Sequence, residues 1–287
     1  MKQRLLVAAV GVPLLIVILM LLPPVATALL VCAIAGVAAY ELLHTAGKHI
    51  SSLVYVLTIV MSVLTVLVCA QDAWLLQAAE PNAVPAGQLC ALLYAVCAFL
   101  YVMALFFVAV HTHGLENTMP FGSVAVCIVG AFVFPAMYSC IARLRGISPV
   151  FVLMPFVVAF IGDSASMLGG MAFGHKKFAP RVSPNKTWAG FLAGPVGSAL
   201  GMVILGLVAR AAWQMTLPLW YLALIGVVAN VFGQLGDLSM SLIKREAGIK
   251  DYSHIFLTHG GMLDRFDSSM FLSPVVYGMV MLLGAVV

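Results

Sequence analysis

The residues best suited to chemistry in this 287-residue chain lie between positions 237 and 267. This stretch holds five of the ten acidic residues and four of the fourteen basic ones. Asp264 and Asp267 are spaced i, i+3, so both carboxylates project from one face of a helix. Carboxylate oxygens are the ligands that Mg²⁺ prefers. The spacing therefore predicts a magnesium site formed by Asp237, Asp264 and Asp267. The Ser241 hydroxyl, one turn after Asp237, is expected beside it.

The same stretch contains cations that could neutralise phosphate groups bound to such a metal. They are Lys244, Arg245, Lys250 and Arg265. Gly260 and Gly261 carry no side chain where backbone N–H groups could approach an anion. His259 is a candidate proton carrier or hydrogen-bond donor to phosphate. The plainer alternatives are that acidic residues favour a helix N-terminus electrostatically and that His259 is a solvated loop residue.

A second polar segment runs from position 162 to 187 and begins with an acidic residue. Asp163 follows an apolar run, and an ionisable residue in a span is a functional candidate by default, although helix capping is an alternative. The sequence Ser-Pro-Asn-Lys-Thr predicts a rigid turn that brings Ser183, Lys186 and Thr187 toward the same polar zone. The segment is either a clamp for anionic headgroups or a nucleotide triphosphate, or a consequence of membrane topology alone. Its basic residues are Lys176, Lys177, Arg181 and Lys186.

The composition decides which elements must position these residues. The chain is 63% hydrophobic and 8% charged, with a mean hydropathy of +1.13, whereas a soluble domain has about 25% charged residues. We therefore predict an all-α polytopic transmembrane helical bundle of about eight or nine spans. The predicted spans are 5–22, 25–43, 52–70, 89–110, 120–141, 148–171, 189–209, 218–242 and 268–287. Tyr40-Glu41 lies near the end of the second span, where it could make an interfacial contact, but nothing in the sequence distinguishes it.

The chain is expected to form a single integral membrane domain, 1–287. Its spans divide into an N-terminal set, 1–147, and a catalytic set with cytoplasmic loops, 148–287. The first apolar run is longer than a signal-peptide core, so we expect it to be a retained helix.

Charge predicts the orientation of the spans. With the N-terminus in the cytoplasm, only Arg143, Arg145 and Arg210 of the fourteen basic residues fall outside, which is a strong positive-inside bias. The two basic loops, 172–188 and 243–267, then share one face and can build one site. The expected location is a bacterial cytoplasmic (inner) membrane with the site on its cytoplasmic face. In such a protein the net charge of +4 reports loop orientation, and no nucleic-acid partner is expected.

Two blocks of sequence resemble the phosphatidate cytidylyltransferase (CDP-diacylglycerol synthase) family. One is the stretch GDSASMLGG…FGHKKFAPRVSPNKTWAG from position 162. The other is the pattern S-x-x-K-R-x4-K-D followed by H-G-G-x-x-D-R-x-D. Its residues here are Ser241, Lys244, Arg245, Lys250, Asp251, His259, Gly260, Gly261, Asp264, Arg265 and Asp267. The family's usual pattern differs at Met240, at Ala189, and at Leu257-Thr258, where it has Pro-Gly.

The resemblance implies that phosphatidate attacks the α-phosphate of CTP, giving CDP-diacylglycerol and pyrophosphate. It implies Mg²⁺ as cofactor, with a second cation left open, held by the three aspartates named above. The catalytic set would be Asp237, Lys244, Arg245, Asp264, Arg265 and Asp267. The substrate-binding set would be Asp163, Ser183, Lys186, Thr187, Ser241, Lys250, Asp251, His259, Gly260 and Gly261.

Two other functions remain as alternatives. A CTP-dependent lipid kinase of the polyprenol or phytol type would have similar basic loops and acidic residues, but it would transfer the γ-phosphoryl group and release CDP. A membrane transporter would place its charges within the spans and often shows inverted repeats. The charges here lie at one face, which argues against transport. The sequence leaves the oligomeric state open, with a homodimer among the options.

Overall fold

The protein is described by a computed structural model that covers residues 11, 13–71, 83–255 and 260–286. The α-helices in this part of the chain are α1 (Pro24–Ala46), α2 (Ser52–Cys69), α3 (Ala83–His111), α4 (Phe121–Ile128), α5 (Phe134–Ile147), α6 (Met154–Phe173), α7 (Trp188–Trp213), α8 (Leu219–Glu246) and α9 (Leu263–Val286). A short π-helix, Val129–Val133, joins α4 to α5, a second, Val17–Leu21, precedes α1, and a 3₁₀ turn, Phe151–Leu153, leads into α6.

Within the described residues, eight helices are long and apolar enough to cross a membrane. They correspond to the predicted spans from the second to the ninth, with α4 and α5 forming one continuous span, Phe121–Ile147. The prediction of an all-α membrane protein is therefore confirmed. Of the predicted first span, 5–22, residues 5–10 and 12 lie outside the described residues, and 13–21 are helical.

The chain divides into two compact units. The first comprises Met1–Ile147 with Ala247–Arg265, and the second comprises Ser148–Glu246 with Phe266–Val287. In the first unit, α1 packs against α2 and α5, which also pack against each other. Buried hydroxyls link its helices: Thr58 and Tyr101 share a hydrogen bond of 2.7 Å, and Thr65 donates to the Ala131 carbonyl at 2.7 Å.

The second unit is built on close packing of α6, α7 and α8. Small residues allow this approach, as in many membrane helix pairs. A Cβ atom added to Gly226 on α8 would lie 2.6 Å from the Ser198 carbonyl oxygen on α7. On the same helix, a Cβ at Gly236 would lie 2.6 Å from the Phe271 ring. This close approach at Gly236 brings α9 next to the polar end of α8.

A two-stranded antiparallel hairpin lies between α6 and α7. Strand β1 is Lys177–Ala179 and β2 is Ser183–Thr187. The prediction of a rigid turn at 183–187 is wrong, because these residues form β2 and the reversal occurs at 180–182. Pro184 suggested a turn because proline is disfavoured inside sheets. In a two-stranded hairpin, however, both strands are edge strands, where proline is tolerated.

Candidate active site

The second unit contains a cavity of about 460 Å³ at the polar ends of its helices. Four elements contribute to its wall: α6, the hairpin, the start of α7 and the polar part of α8. The lining residues are Asp163, Ser166, Met167, Gly170, Met171, Gly174, Lys177, Phe178, Asn185, Lys186, Thr187, Gly190, Phe191, Gln234 and Asp237. The cavity therefore combines carboxylates, cations, amides and aromatic rings, which suits a charged ligand with an organic part.

Two residues that line this cavity form an ion pair. Lys186 Nζ on β2 lies 2.5 Å from Asp237 Oδ2 on α8, and both side chains keep part of their surface accessible, 25% and 33% respectively. Ser241, one turn further along α8, donates to Asp237 Oδ1 at 3.5 Å. Partly exposed ion pairs contribute little to stability, so the two side chains can separate at low cost. An anionic ligand can then bind Lys186, and a cation can bind Asp237.

Two further carboxylates belong to the same cluster. Asp163 on α6 and Asp267 on α9 each interact electrostatically with Asp237. Asp267 is 9% exposed and accepts a hydrogen bond from the Ser268 N–H at 2.7 Å. Like charges at this proximity repel one another unless a cation or a proton compensates them. The structure thus brings the predicted site residues Asp163, Asp237 and Asp267 together.

Cationic side chains accompany this acidic cluster. Lys186 interacts electrostatically with Asp163, and Lys244 with Asp267. The Arg245 Nε donates to the Val182 carbonyl at 3.3 Å, which ties the end of α8 to the hairpin. The predicted grouping of cations with the carboxylates therefore holds for Lys186 and Lys244.

The donor set fits a magnesium ion that receives its remaining ligands from a substrate. Mg²⁺ is usually bound through one or two carboxylates plus phosphates and water. Asp237 with Asp267 or Asp163 supplies such a carboxylate pair. No group of three or more His, Cys, Asp or Glu side chains in the described part of the chain is close enough to hold a metal by itself.

Asp264, the third predicted metal ligand, shapes a loop in the first unit. Its Oδ2 accepts hydrogen bonds from the Tyr252 N–H at 2.8 Å and the Gly261 N–H at 2.9 Å. Gly260 has φ = 81°, a left-handed conformation that glycine adopts without strain. The N–H of Gly261 therefore donates to a carboxylate of the protein itself, and its predicted contact with a bound anion stays a prediction. The metal and substrate roles of these residues stay predictions.

The remaining predicted substrate-binding residues have varied environments. Thr187 caps α7, because its hydroxyl accepts from the Gly190 N–H at 3.2 Å. Ser183 pairs with Ala179 in the hairpin, while Lys250 and Asp251 are exposed. His259 and the Leu257-Thr258 departure lie outside the described residues.

Sequence reasoning missed one carboxylate. Glu41 on α1 is 1% exposed and accepts hydrogen bonds from Ser253, Met262 and Leu263. Glu41 is therefore a buried carboxylate with several donors, whereas the sequence alone did not distinguish it from an interfacial residue. The sequence did contain a signal, because an acidic residue within an apolar span needs hydrogen-bond donors or a charged partner.

Comparison with known proteins gives a consistent result. A family profile described as "Cytidylyltransferase family" matches residues 2–283. The phosphatidate cytidylyltransferase of Bacillus subtilis is 34% identical over 179 residues, which is 61% of this chain and 65% of that protein. The one from Staphylococcus saprophyticus is 37% identical over 163 residues, 56% of this chain and 60% of that protein.

A third relative is covered more completely. The phosphatidate cytidylyltransferase of Rickettsia typhi is 30% identical over 193 residues, 64% of this chain and 84% of that protein. The matches to the Bacillus and Staphylococcus proteins, in contrast, span less than two thirds of the length of those relatives.

Proposed function

Because the chain belongs to the cytidylyltransferase family, we propose that it is a membrane phosphatidate cytidylyltransferase that converts CTP and phosphatidate to CDP-diacylglycerol and pyrophosphate. The observation that carries the proposal is the Lys186–Asp237 ion pair in its cavity, beside Asp163 and Asp267. Such a site offers cations for phosphate groups and carboxylates for the counterions of a triphosphate. The names of the relatives support the choice of substrates.

In the proposed reaction, a phosphate oxygen of phosphatidate forms a bond to the α-phosphorus of CTP. The bond between this phosphorus and the bridging oxygen of the β-phosphate breaks, and pyrophosphate leaves with the electron pair. The phosphate monoester is already ionised near neutral pH, so the attack needs no strong general base. Catalysis then consists mainly of positioning the two phosphates and neutralising their charge.

The residues of the cavity supply this positioning. Lys186 exchanges its partner Asp237 for a phosphate oxygen, and Lys244 and Arg245 add positive charge at the end of α8. Asp237 and Asp267 are the proposed Mg²⁺ ligands within the second unit, with Asp264 as the third ligand predicted from the sequence. When bound, Mg²⁺ supplies positive charge that offsets the negative charge of the CTP phosphates.

The bilayer supplies one of the two substrates. The apolar helices are long enough to cross it, and the cavity opens among the polar ends of α6 and α8. We propose that the reaction takes place at the cytoplasmic face of a bacterial inner membrane, as the positive-inside bias of the loops predicts. Phosphatidate can then present its headgroup there while its acyl chains stay in the bilayer.

The test is to incubate the purified protein in detergent with phosphatidate, Mg²⁺ and CTP labelled on its α-phosphate. The proposal expects labelled CDP-diacylglycerol and release of pyrophosphate. In a parallel incubation with CTP labelled on its γ-phosphate, transfer of the label to the lipid with release of CDP would instead identify a lipid kinase and overturn the proposal.

A matched pair of variants connects the activity to the site. Asp237→Asn should abolish product formation, whereas Ser239→Ala on the same helix should leave it unchanged. Ser239 is suited as a control because its hydroxyl donates to the Leu235 carbonyl of its own helix, at 2.8 Å.

A further inference from the structure

The Glu41 carboxylate holds a segment that lies more than two hundred residues away in sequence. Its Oε1 accepts from the Ser253 hydroxyl at 2.5 Å and from the Met262 N–H at 2.9 Å, and its Oε2 accepts from the Leu263 N–H at 2.8 Å. All these residues belong to the first compact unit. Both oxygens of the carboxylate thus accept hydrogen bonds, from Ser253 and from the backbone of 262–263.

The position of Leu263 explains why a carboxylate is suited to this contact. Leu263 is the first residue of α9, and the first N–H groups of a helix have no partner within the helix. A negative charge at this end also interacts favourably with the helix dipole. Glu41 therefore caps α9 from another helix.

Gly261 is adapted to the same contact. A Cβ atom at this position would lie 2.7 Å from both Glu41 Cδ and Ser253 Oγ. A side chain at Gly261 would therefore push Glu41 away from its donors. The second glycine of the Gly-Gly pair makes room for Glu41, while the first supplies the left-handed turn.

Burial of a carboxylate within a spanning helix is costly unless hydrogen bonds compensate it. Two of the donors of Glu41, the Ser253 hydroxyl and the Met262 N–H, lie outside the helices, and the third is the Leu263 N–H at the start of α9. The residues 260–263 contain the predicted phosphate-binding residues Gly260 and Gly261 and lead directly into Asp264.

We propose that Glu41 is a positioning residue, which docks Ser253, the residues 260–263 and the start of α9 in the geometry that the reaction requires. The inference rests on the proposed function for its catalytic part. The docking itself does not depend on it and can be measured without substrate.

The docking is tested by hydrogen–deuterium exchange of the substrate-free protein in detergent. In Glu41→Gln, an N–H₂ group replaces one acceptor oxygen and faces a donor. The amides of Met262 and Leu263 should then exchange faster than in the wild type. Glu116→Gln applies the same chemical change to an exposed residue and should leave the exchange of these amides unchanged.

The positioning role is tested by steady-state kinetics. Because a displacement of about 1 Å costs on the order of 100-fold in rate, Glu41→Gln should lower kcat by about 10-fold to 100-fold. The KM for CTP should change less, and the unfolding temperature in detergent should remain close to that of the wild type. A purely structural role would lower the amount of folded protein without lowering kcat per folded molecule.

Ser253→Ala provides a milder variant in case Glu41→Gln does not fold. It removes one donor and keeps the two backbone hydrogen bonds, so its kcat should lie between those of the wild type and Glu41→Gln. Unchanged exchange in the folded variants, or faster exchange with unchanged kcat, would overturn the proposal. If the wild type itself makes no CDP-diacylglycerol, the proposed function fails, and the exchange result alone decides whether Glu41 docks the segment.

Discussion

At the scale of single residues, the proposed reaction depends on Lys186, the cation that would exchange its carboxylate partner for a phosphate oxygen of the substrate. Lys186→Met should lower kcat/KM for CTP by about 100-fold to 1,000-fold, the loss typical for removal of one donor to a transition-state oxyanion. The free energy of unfolding should fall by no more than about 1 kcal/mol, because the ion pair is partly exposed. Activity and chemical denaturation in detergent measure the two effects.

A matched control for this substitution is Arg210→Met. Arg210 is an exposed cation in the last turn of α7, and its loss should leave kcat/KM at the wild-type value. Equal losses of activity in the two variants would mean that net charge, and not the position of Lys186, is responsible.

Asp264 offers a second test at this scale, because it serves a loop and is also a predicted metal ligand. Asp264→Asn keeps an oxygen that can accept the Tyr252 and Gly261 N–H groups, so the protein should fold. The variant should nevertheless be nearly inactive, and any residual activity should need more Mg²⁺. A magnesium titration of activity measures this. Undiminished activity with intact expression would leave Asp264 with the loop role alone.

At the scale of the elements, the site is positioned by helices that approach closely at glycines. Gly226→Ala would place a methyl group against the backbone of Ser198 and Ala199, at 2.6–2.8 Å, and a backbone cannot move aside as a side chain can. We expect this variant to lose about 1–3 kcal/mol, the usual cost of overpacking. Thermal unfolding in detergent provides the measurement.

Gly278→Ala is the control for the helix-packing prediction. Gly278 lies in α9, and a Cβ there would meet no atom within 4 Å. Since alanine has the better helix propensity by about 1 kcal/mol, Gly278→Ala should be neutral or slightly stabilising. If both variants lose the same stability, the close approach of α7 and α8 does not limit the fold.

The elements also show what the sequence could and could not predict. Long apolar runs predict spanning helices directly, because length and composition alone decide whether a helix can cross a bilayer. The hairpin was missed because its strands are short and Pro184 suggested a turn. The proximity of Asp163 to Asp237 depends on how α6 and α8 pack, and no local pattern contains that information. The acidic residue Glu41 within an apolar span was a visible signal, but its donors are distant in sequence and could not be predicted from it.

At the scale of the whole molecule, the prediction that remains is the orientation of the chain in the membrane. The positive-inside rule places the hairpin and the end of α8 in the cytoplasm and the α7–α8 connection outside. Three exposed positions of the second unit, Arg181, Glu246 and Thr216, report on these segments. Single cysteines at each, in a protein whose six native cysteines have been replaced, can be labelled in oriented vesicles with a reagent that does not cross the bilayer.

In right-side-out vesicles, Thr216→Cys should react, while Arg181→Cys and Glu246→Cys should react only after the membrane is permeabilised. Inside-out vesicles should give the opposite pattern. The result matters for the reaction, because CTP is charged and cannot cross the bilayer, so the cavity beside the hairpin must face the compartment that holds the nucleotide. Labelling of Arg181→Cys from the outer face would overturn the predicted orientation and, with it, the cytoplasmic placement of the site.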